Sequence, residues 1–268
     1  MTPESKAAAS SAAPVALVTA GAAGVGRAIA KAYREAGWAV HVCDVDEKAL
    51  ADFLDAYPSC GATRADVSDA RAAHRVVSEV LEYHGRLDAL VNNAGIAGPT
   101  GPVEDLDADG FRQCLDVNLV GAFNFTRHAA RAMKAAGRGA IINIASNAAL
   151  FGFPYRAPYA AAKWGMIGLT KTLAMELGPF GVRVNAICPG SVEGPRIESV
   201  IAREASSRGV SPDEVRRTYE SQSSMQTFIR AEDVANMCVY LSSKGGERIS
   251  GQSIAIDGHT ESLSFPVK

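Results

Sequence analysis

Val15-Ala-Leu-Val-Thr19-Ala-Gly21-Ala-Ala-Gly24-Val25-Gly26 begins with an apolar, β-rich run that shows no polar alternation, then packs three glycines into six positions. Such a run suits a strand covered on both faces. Glycines at its end, with a helix to follow, let the backbone approach a pyrophosphate. The helix N-terminus adds unbonded N–H groups and a positive dipole end. A tight turn that binds nothing remains open on these residues alone.

Outward from this stretch, strand and helix patterns alternate. A helix over 24–36 closes at Gly37, and 39–44 reads as a second strand. A short helix over 49–56 stops before Pro58, and 62–67 reads as a third strand. Ser68 is placed to cap a helix to His84, with Val76, Val77, Val80 and Leu81 on one face and Gly85 as its stop. Strands follow at 87–91, 140–144, 182–187 and 253–256. Helices fall between them: one from Asp107 or Asp109 to Ala136, one over 155–177, and one over 232–241. Repeated β-α-β units imply one doubly wound α/β (Rossmann) domain over 14–268, with a central parallel sheet flanked by helices on both faces. Residues 1–13 are Ala/Ser-rich and read as a flexible tail; 191–227 are polar and read as a lid. Ligands of such folds bind at the carboxyl ends of the strands, where strand order reverses.

Composition narrows the function. The chain has 268 residues, 47% hydrophobic and 21% charged, with net charge −2. That charge provides no field for nucleic acid or an anionic membrane. No apolar run spans a bilayer, and the first residues lack the order of a signal peptide. Five cysteines, with no Cys-x-x-Cys pair, argue against zinc and disulfides and for a reducing, cytoplasmic setting. The five histidines show no metal-ligand spacing, so no metal is expected.

Asp44 ends the second strand, 18 residues after Gly26. A carboxylate there accepts hydrogen bonds from ribose hydroxyls and repels a 2′-phosphate, and Ala22 and Ala23 supply no cation. The cofactor expected is therefore NAD, with Asp46 as the competing carboxylate. Tyr159 and Lys163 lie four apart on one helix face, and Ser146 directly follows the fifth strand.

In its ordered motifs the chain resembles the short-chain dehydrogenase/reductase family, in its compact single-domain branch. The motifs run from the Gly-rich turn (Gly21, Gly24, Val25, Gly26) through Asp44, Asp66-Val67, Asn92-Asn93-Ala94-Gly95, Asn118, Ser146 and Tyr159-Ala-Ala-Ala-Lys163 to Pro189-Gly190. The resemblance implies that Tyr159 gives a proton to a carbonyl oxygen or takes one from an alcohol. A free tyrosine titrates at about 10, and the Lys163 ammonium favours the tyrosinate. It further implies that Lys163 binds the nicotinamide ribose and that Ser146 holds the substrate oxygen. Asn118 is expected to kink its helix and hold a water. Asp66 and Val67 would meet the adenine, and Asn93, Ala94 and Gly95 would support the cofactor. Two positions depart from the family pattern. Ala20 replaces a glycine, which is tolerated if the backbone there is not left-handed. Gly194 stands where a threonine is usual, so the carboxamide would meet backbone around Val192.

For the substrate, Ser146, Ala148 and Phe153 are candidate wall residues, and Arg156 or Arg196 a candidate grip on an anionic group. Phe123, Phe125, Met166, Leu169 and Leu173 form a second apolar stripe, expected to join a homodimer or homotetramer. The expected activity is hydride transfer between NAD(H) and a small secondary alcohol or ketone. A β-ketoacyl-thioester reductase and a non-catalytic dinucleotide sensor are the alternatives.

Overall fold

The computed structural model describes residues 13–260 and, within them, the side chains of all but Arg196, Arg203 and Ser207. The expected tail over 1–13 falls almost wholly outside the described residues, as does the Arg196 side chain.

Seven strands form one parallel sheet: β1 Val15–Thr19, β2 Ala39–Asp44, β3 Gly61–Arg64, β4 Ala89–Asn92, β5 Gly139–Ile144, β6 Val182–Pro189 and β7 Ser253–Ile256. Their order is β3-β2-β1-β4-β5-β6-β7. The chain builds outward from β1 in one direction, then returns to β1 and builds in the other. The reversal leaves a crevice between the carboxyl ends of β1 and β4.

The helices are α1 Gly24–Glu35, α2 Glu47–Ala56, α3 Ala70–His84, α4 Ala108–Leu115, α5 Gly121–Ala136, α6 Ala157–Leu177, α7 Pro195–Arg208, α8 Pro212–Glu220 and α9 Ala231–Ser242. Alternate strand residues feed opposite faces. Ala16 and Val18 pack with Ile29, Tyr33, Phe53 and Leu241 of α1, α2 and α9. Val15 and Leu17 pack with Val76, Val77, Phe125 and Met133 of α3 and α5. Each such side chain, fully buried, contributes about 1.5–3 kcal/mol, which is why β1 carries no polar alternation.

Several boundaries differ from the sequence reading, each for a local reason. β3 stops at Arg64, so Asp66 and Val67 lie in the following turn. Asp69, not Ser68, caps α3 by accepting from Arg71 N at 2.8 Å. Asp46 caps α2 by accepting from Ala49 N at 3.0 Å, which starts that helix at Glu47. The long helix expected to run to Ala136 is interrupted by a π-helical turn, Asp116–Val120. Residues 191–227, read as a polar lid, hold α7 and α8, each with proline in its first turn. Phe125 and Met166, assigned to an intersubunit stripe, are core residues at 0% and 1% exposure. The exposed apolar side chains here are Phe123, Trp164 and Met175. Among the described residues, no helix is long and apolar enough to cross a membrane.

Candidate active site

The turn after β1 is shaped by Asn93. Its Nδ2 donates to the Thr19 and Ala20 carbonyls, both at 3.0 Å. The buried Thr19 hydroxyl accepts from Asn93 N at 3.0 Å and Ala94 N at 3.1 Å. These bonds clamp the ends of β1 and β4 together across the crevice. Gly26 is required for packing, since a methyl group there would run into the Ala20 carbonyl. Gly24 differs: its backbone is left-handed (φ +52) and a methyl would meet nothing within 4 Å. Ala23, the N-cap of α1, provides no side-chain cap. An open, uncapped helix N-terminus behind a glycine turn fits a pyrophosphate. Val25 lies half-buried in that first turn, and Gly21 is tight against Val42.

Ala20 corrects one expectation. Its backbone is left-handed (φ +48), the condition under which a methyl was expected not to fit. The clamp from Asn93 holds the alanine there.

Asp44 ends β2 beside this turn and accepts from Val45 N at 2.8 Å and Ala22 N at 3.3 Å. Asp46, its rival, is occupied as the α2 cap. Asp66 accepts from Ser68 N and Oγ at 2.9 and 2.7 Å. Val67 is buried against Gly121, and its carbonyl accepts from Asn124 Nδ2 at 3.1 Å.

The four residues expected to act on substrate converge at the carboxyl ends of β4 and β5. Lys163 is 3% exposed on α6 and donates to the Ile144 carbonyl at 2.8 Å. That bond ties α6 to the end of β5. Lys163 Nζ lies 5.7 Å from the centre of the Tyr159 ring, one turn earlier. Asn118 sits in the π-helical turn, its Nδ2 donating to Cys114 O at 2.8 Å and Ile96 O at 3.0 Å. Its buried Oδ1 has no protein hydrogen-bond partner. A methyl on Gly95 would lie 2.5 Å from that oxygen and 3.5 Å from Lys163 Nζ, so the two groups face one small space. A buried acceptor left open beside an ammonium suits a water. Ser146 lies just past β5, its hydroxyl accepting from Ala148 N at 3.2 Å and donating to Asn147 Oδ1 at 3.3 Å. Burial pushes the neighbouring Cys188 thiol up to about 11, against the opposing pulls of the Ser146 N–H and the Lys163 charge. Cys188 thus borders both Ser146 and Lys163.

Ala148 is fully buried, so it supports Ser146 and does not line the cleft as expected. Phe153 is half-buried, with its ring against the Arg156 guanidinium, 5.2 Å away. Pro189 ends β6, and Gly190 N donates to Ile256 O at 2.9 Å. Val192 forms a parallel bridge with Ile229 that uses the Ser191 carbonyl and the Glu193 N–H, directing Val192's own N–H and C=O away from the bridge. Gly194 has φ +137, a backbone that threonine rarely adopts, so glycine here is a conformational requirement.

Two residues near the site escaped the sequence reading. Asn147 orients Ser146 from the adjacent position. Tyr219 of α8 donates to Glu204 at 3.0 Å, and burial followed by that carboxylate raises its pKa well above the ordinary range. Only the packing of α7 on α8 brings it in.

Fold and site define a doubly wound dinucleotide-binding protein with a Ser/Tyr/Lys/Asn cluster at the strand ends. Residues 20–259 match a family model described as enoyl-(acyl carrier protein) reductase. The chain is 39% identical over 254 residues to trans-4-hydroxycyclohexanecarboxylate dehydrogenase of Sinomonas cyclohexanicum, covering 91% of each chain. It superimposes on actinorhodin polyketide ketoreductase with NADPH at a TM-score of 0.88 and 32% identity, over 92% of this chain and 96% of that one. NAD+-bound xylitol dehydrogenase gives 0.85 and 28%, over 92% and 99%. The chain belongs to the short-chain dehydrogenase/reductase family and is an oxidoreductase of that family.

Proposed function

We propose that the protein interconverts a small secondary alcohol and its ketone with NAD(H), using Tyr159 as the acid/base. The observation that carries this reading is the phenol of Tyr159 set beside the buried Lys163 ammonium at the carboxyl end of the sheet. A pure dinucleotide sensor needs no such pair.

When bound, the nicotinamide supplies hydride acceptance or donation at the reacting carbon. The protein's part is to hold and to move a proton. Gly21, Gly24, Val25 and Gly26 would receive the pyrophosphate, and Asp44 the adenosine ribose. Asp66 and Val67 would flank the adenine, with Asn93, Ala94 and Gly95 beneath the central part of the cofactor. Pro189, Gly190 and Val192 would border the nicotinamide, with Lys163 on its ribose. Ser146 orients the substrate oxygen toward Tyr159 Oη. Tyr159 takes the alcohol proton during oxidation or returns it during reduction, and the lysine charge favours the tyrosinate. Asn118 Oδ1 and Lys163 Nζ, facing one space, would hold the water that relays this proton.

Asp44 supports NAD over NADP, because a 2′-phosphate would meet its carboxylate. It also weighs against a ketoacyl-thioester reductase, the alternative that the polyketide neighbour keeps in view. The relative named for a hydroxycyclohexanecarboxylate supports a ring-borne alcohol. Five free cysteines fit the reducing cytosol.

The test is a screen of ring alcohols and ketones with NAD(H) and NADP(H), followed by reduced-cofactor absorbance. Tyr159→Phe is expected to lose turnover by about 10²–10⁴-fold while binding NADH with unchanged affinity. Turnover within about threefold of the native rate would refute the role given to Tyr159.

A further inference from the structure

We propose that Arg156 binds a carboxylate on the substrate, so that the alcohol oxidised is a small hydroxy acid. The proposal rests on the dehydrogenase reading above and specifies its substrate class.

Arg156 precedes Tyr159 by three residues, so it stands one turn earlier on the same face of the chain entering α6. Tyr155 turns the chain just before it through a left-handed backbone (φ +63), and the Tyr155 carbonyl accepts from Gly101 N at 3.0 Å. The turn lays the guanidinium between two rings: its carbon is 5.1 Å from the Tyr159 centroid and 5.2 Å from that of Phe153. One donor reaches the Ala97 carbonyl at 3.3 Å. A guanidinium stacked on rings keeps its donors in its own plane, toward the rim of the stack. This charge therefore lies against the very phenol that would meet the substrate oxygen. An anion held by it stays within one small molecule's length of the reacting carbon.

Cys114 and Tyr219 are among the groups that feel the Arg156 charge, and Tyr219 in turn bonds Glu204. Glu204 is already held by Arg208 at 2.8 Å and by the Tyr219 hydroxyl at 3.0 Å. Tyr219 lies in α8, so the guanidinium at the start of α6 is near the lid segment. A single planar fork matches a carboxylate, which it can bind through two parallel bonds.

The experiment compares a ring hydroxy acid, its methyl ester and the parent alcohol as substrates with NAD, in native protein, Arg156→Met and Arg156→Lys. Native protein is expected to prefer the acid over the ester. In Arg156→Met the preference for acid over ester, as a ratio of kcat/KM values, should fall about 10- to 100-fold, mostly through the KM of the acid. Arg156→Lys, which keeps the charge and loses the fork, should recover part of the loss. Equal losses on acid and ester, or an acid left unaffected, would overturn the proposal. Native turnover of the ester and alcohol but not the acid would overturn it too, with the dehydrogenase reading intact. No native turnover of any of the three would instead overturn the dehydrogenase reading itself.

Discussion

Replacing Ala20 with glycine is expected to stabilise the protein, the reverse of what that change does on a helix surface. Ala20 has φ +48. An L-residue with that backbone crowds its own Cβ against the following carbonyl, at a cost of about 1–2 kcal/mol. The chain cannot relax, because Asn93 Nδ2 bonds the carbonyls of both Thr19 and Ala20 at 3.0 Å, and Gly26 lies directly against the latter. Glycine removes the crowding but returns about 0.4–1 kcal/mol of freedom to the unfolded chain. The net gain is about 0.5–1 kcal/mol, or a rise of about 1–4 °C in the unfolding midpoint for a domain of this size. The control is Ala51→Gly, at an exposed position inside α2. There glycine relieves nothing and costs about 1 kcal/mol. Scanning calorimetry of the three proteins, with NADH affinity measured alongside, should give midpoints of opposite sign and unchanged binding. Ala20→Gly falling as Ala51→Gly does would refute the claim that position 20 stores this energy.

Acid stability should depend on His41. Burial, chiefly, and the neighbouring His84 lower its pKa to about 4, against the pull of Glu79. The unfolded value is about 6.5. Between these values the unfolded chain binds more protons, so stability is full above about 6.5 and declines as pH falls toward 4, by at most about 3 kcal/mol. His41→Gln should flatten most of that slope in urea titrations at pH 7 and pH 5; an unaltered slope would exclude His41 as its source. We also propose self-association through α5 and α6, where Phe123, Trp164 and Met175 are 46%, 50% and 81% exposed. Sedimentation should give a mass well above the 28.0 kDa chain, and Trp164→Glu should lower it. A native monomer at micromolar concentration would remove this interface.

What the sequence discloses and what it withholds divide along the sheet. A run such as Val15–Thr19 is apolar on both faces because both faces are covered, so it reads as a strand from composition alone. Asp44, Asn93, Ser146 and the Tyr159–Lys163 pair follow, since each lies at a fixed offset from a strand end or along one helix face. The kink at Asn118 was expected from the family resemblance alone: DVNLV carries no breaker, and the π-helical turn at Asp116–Val120 goes with Asn118 Nδ2 reaching the Cys114 and Ile96 carbonyls. The left-handed backbone at Ala20 was withheld, because it is imposed by Asn93, 73 residues away. Phe125 and Met166 were assigned to an outer stripe because periodicity marks an apolar face without saying what lies against it.

This division has a functional side. Two of the groups given to proton transfer are anchored by bonds to the backbone, Lys163 to Ile144 at the end of β5 and Asn118 to Ile96 just beyond β4, and Asn93 clamps the glycine turn to the end of β4. Those anchors share the rigidity of a sheet buried on both faces. The elements given to substrate choice are anchored otherwise. Helices α7 and α8, in the segment read as a lid, pack on a small cluster of their own, with Ile201, Ala205, Val215 and Phe228 at its centre, separate from the two large cores. Arg156 hangs from a turn between β5 and α6, positioned by ring contacts and one bond to the Ala97 carbonyl in the loop after β4. A sequence change in either segment can therefore alter what enters the cleft without displacing the phenol, the ammonium or the strand ends that hold them. On this architecture, variants of Arg156 and Tyr219 should redistribute activity among substrates, whereas variants of Asn93 or Lys163 should lower it on all of them alike.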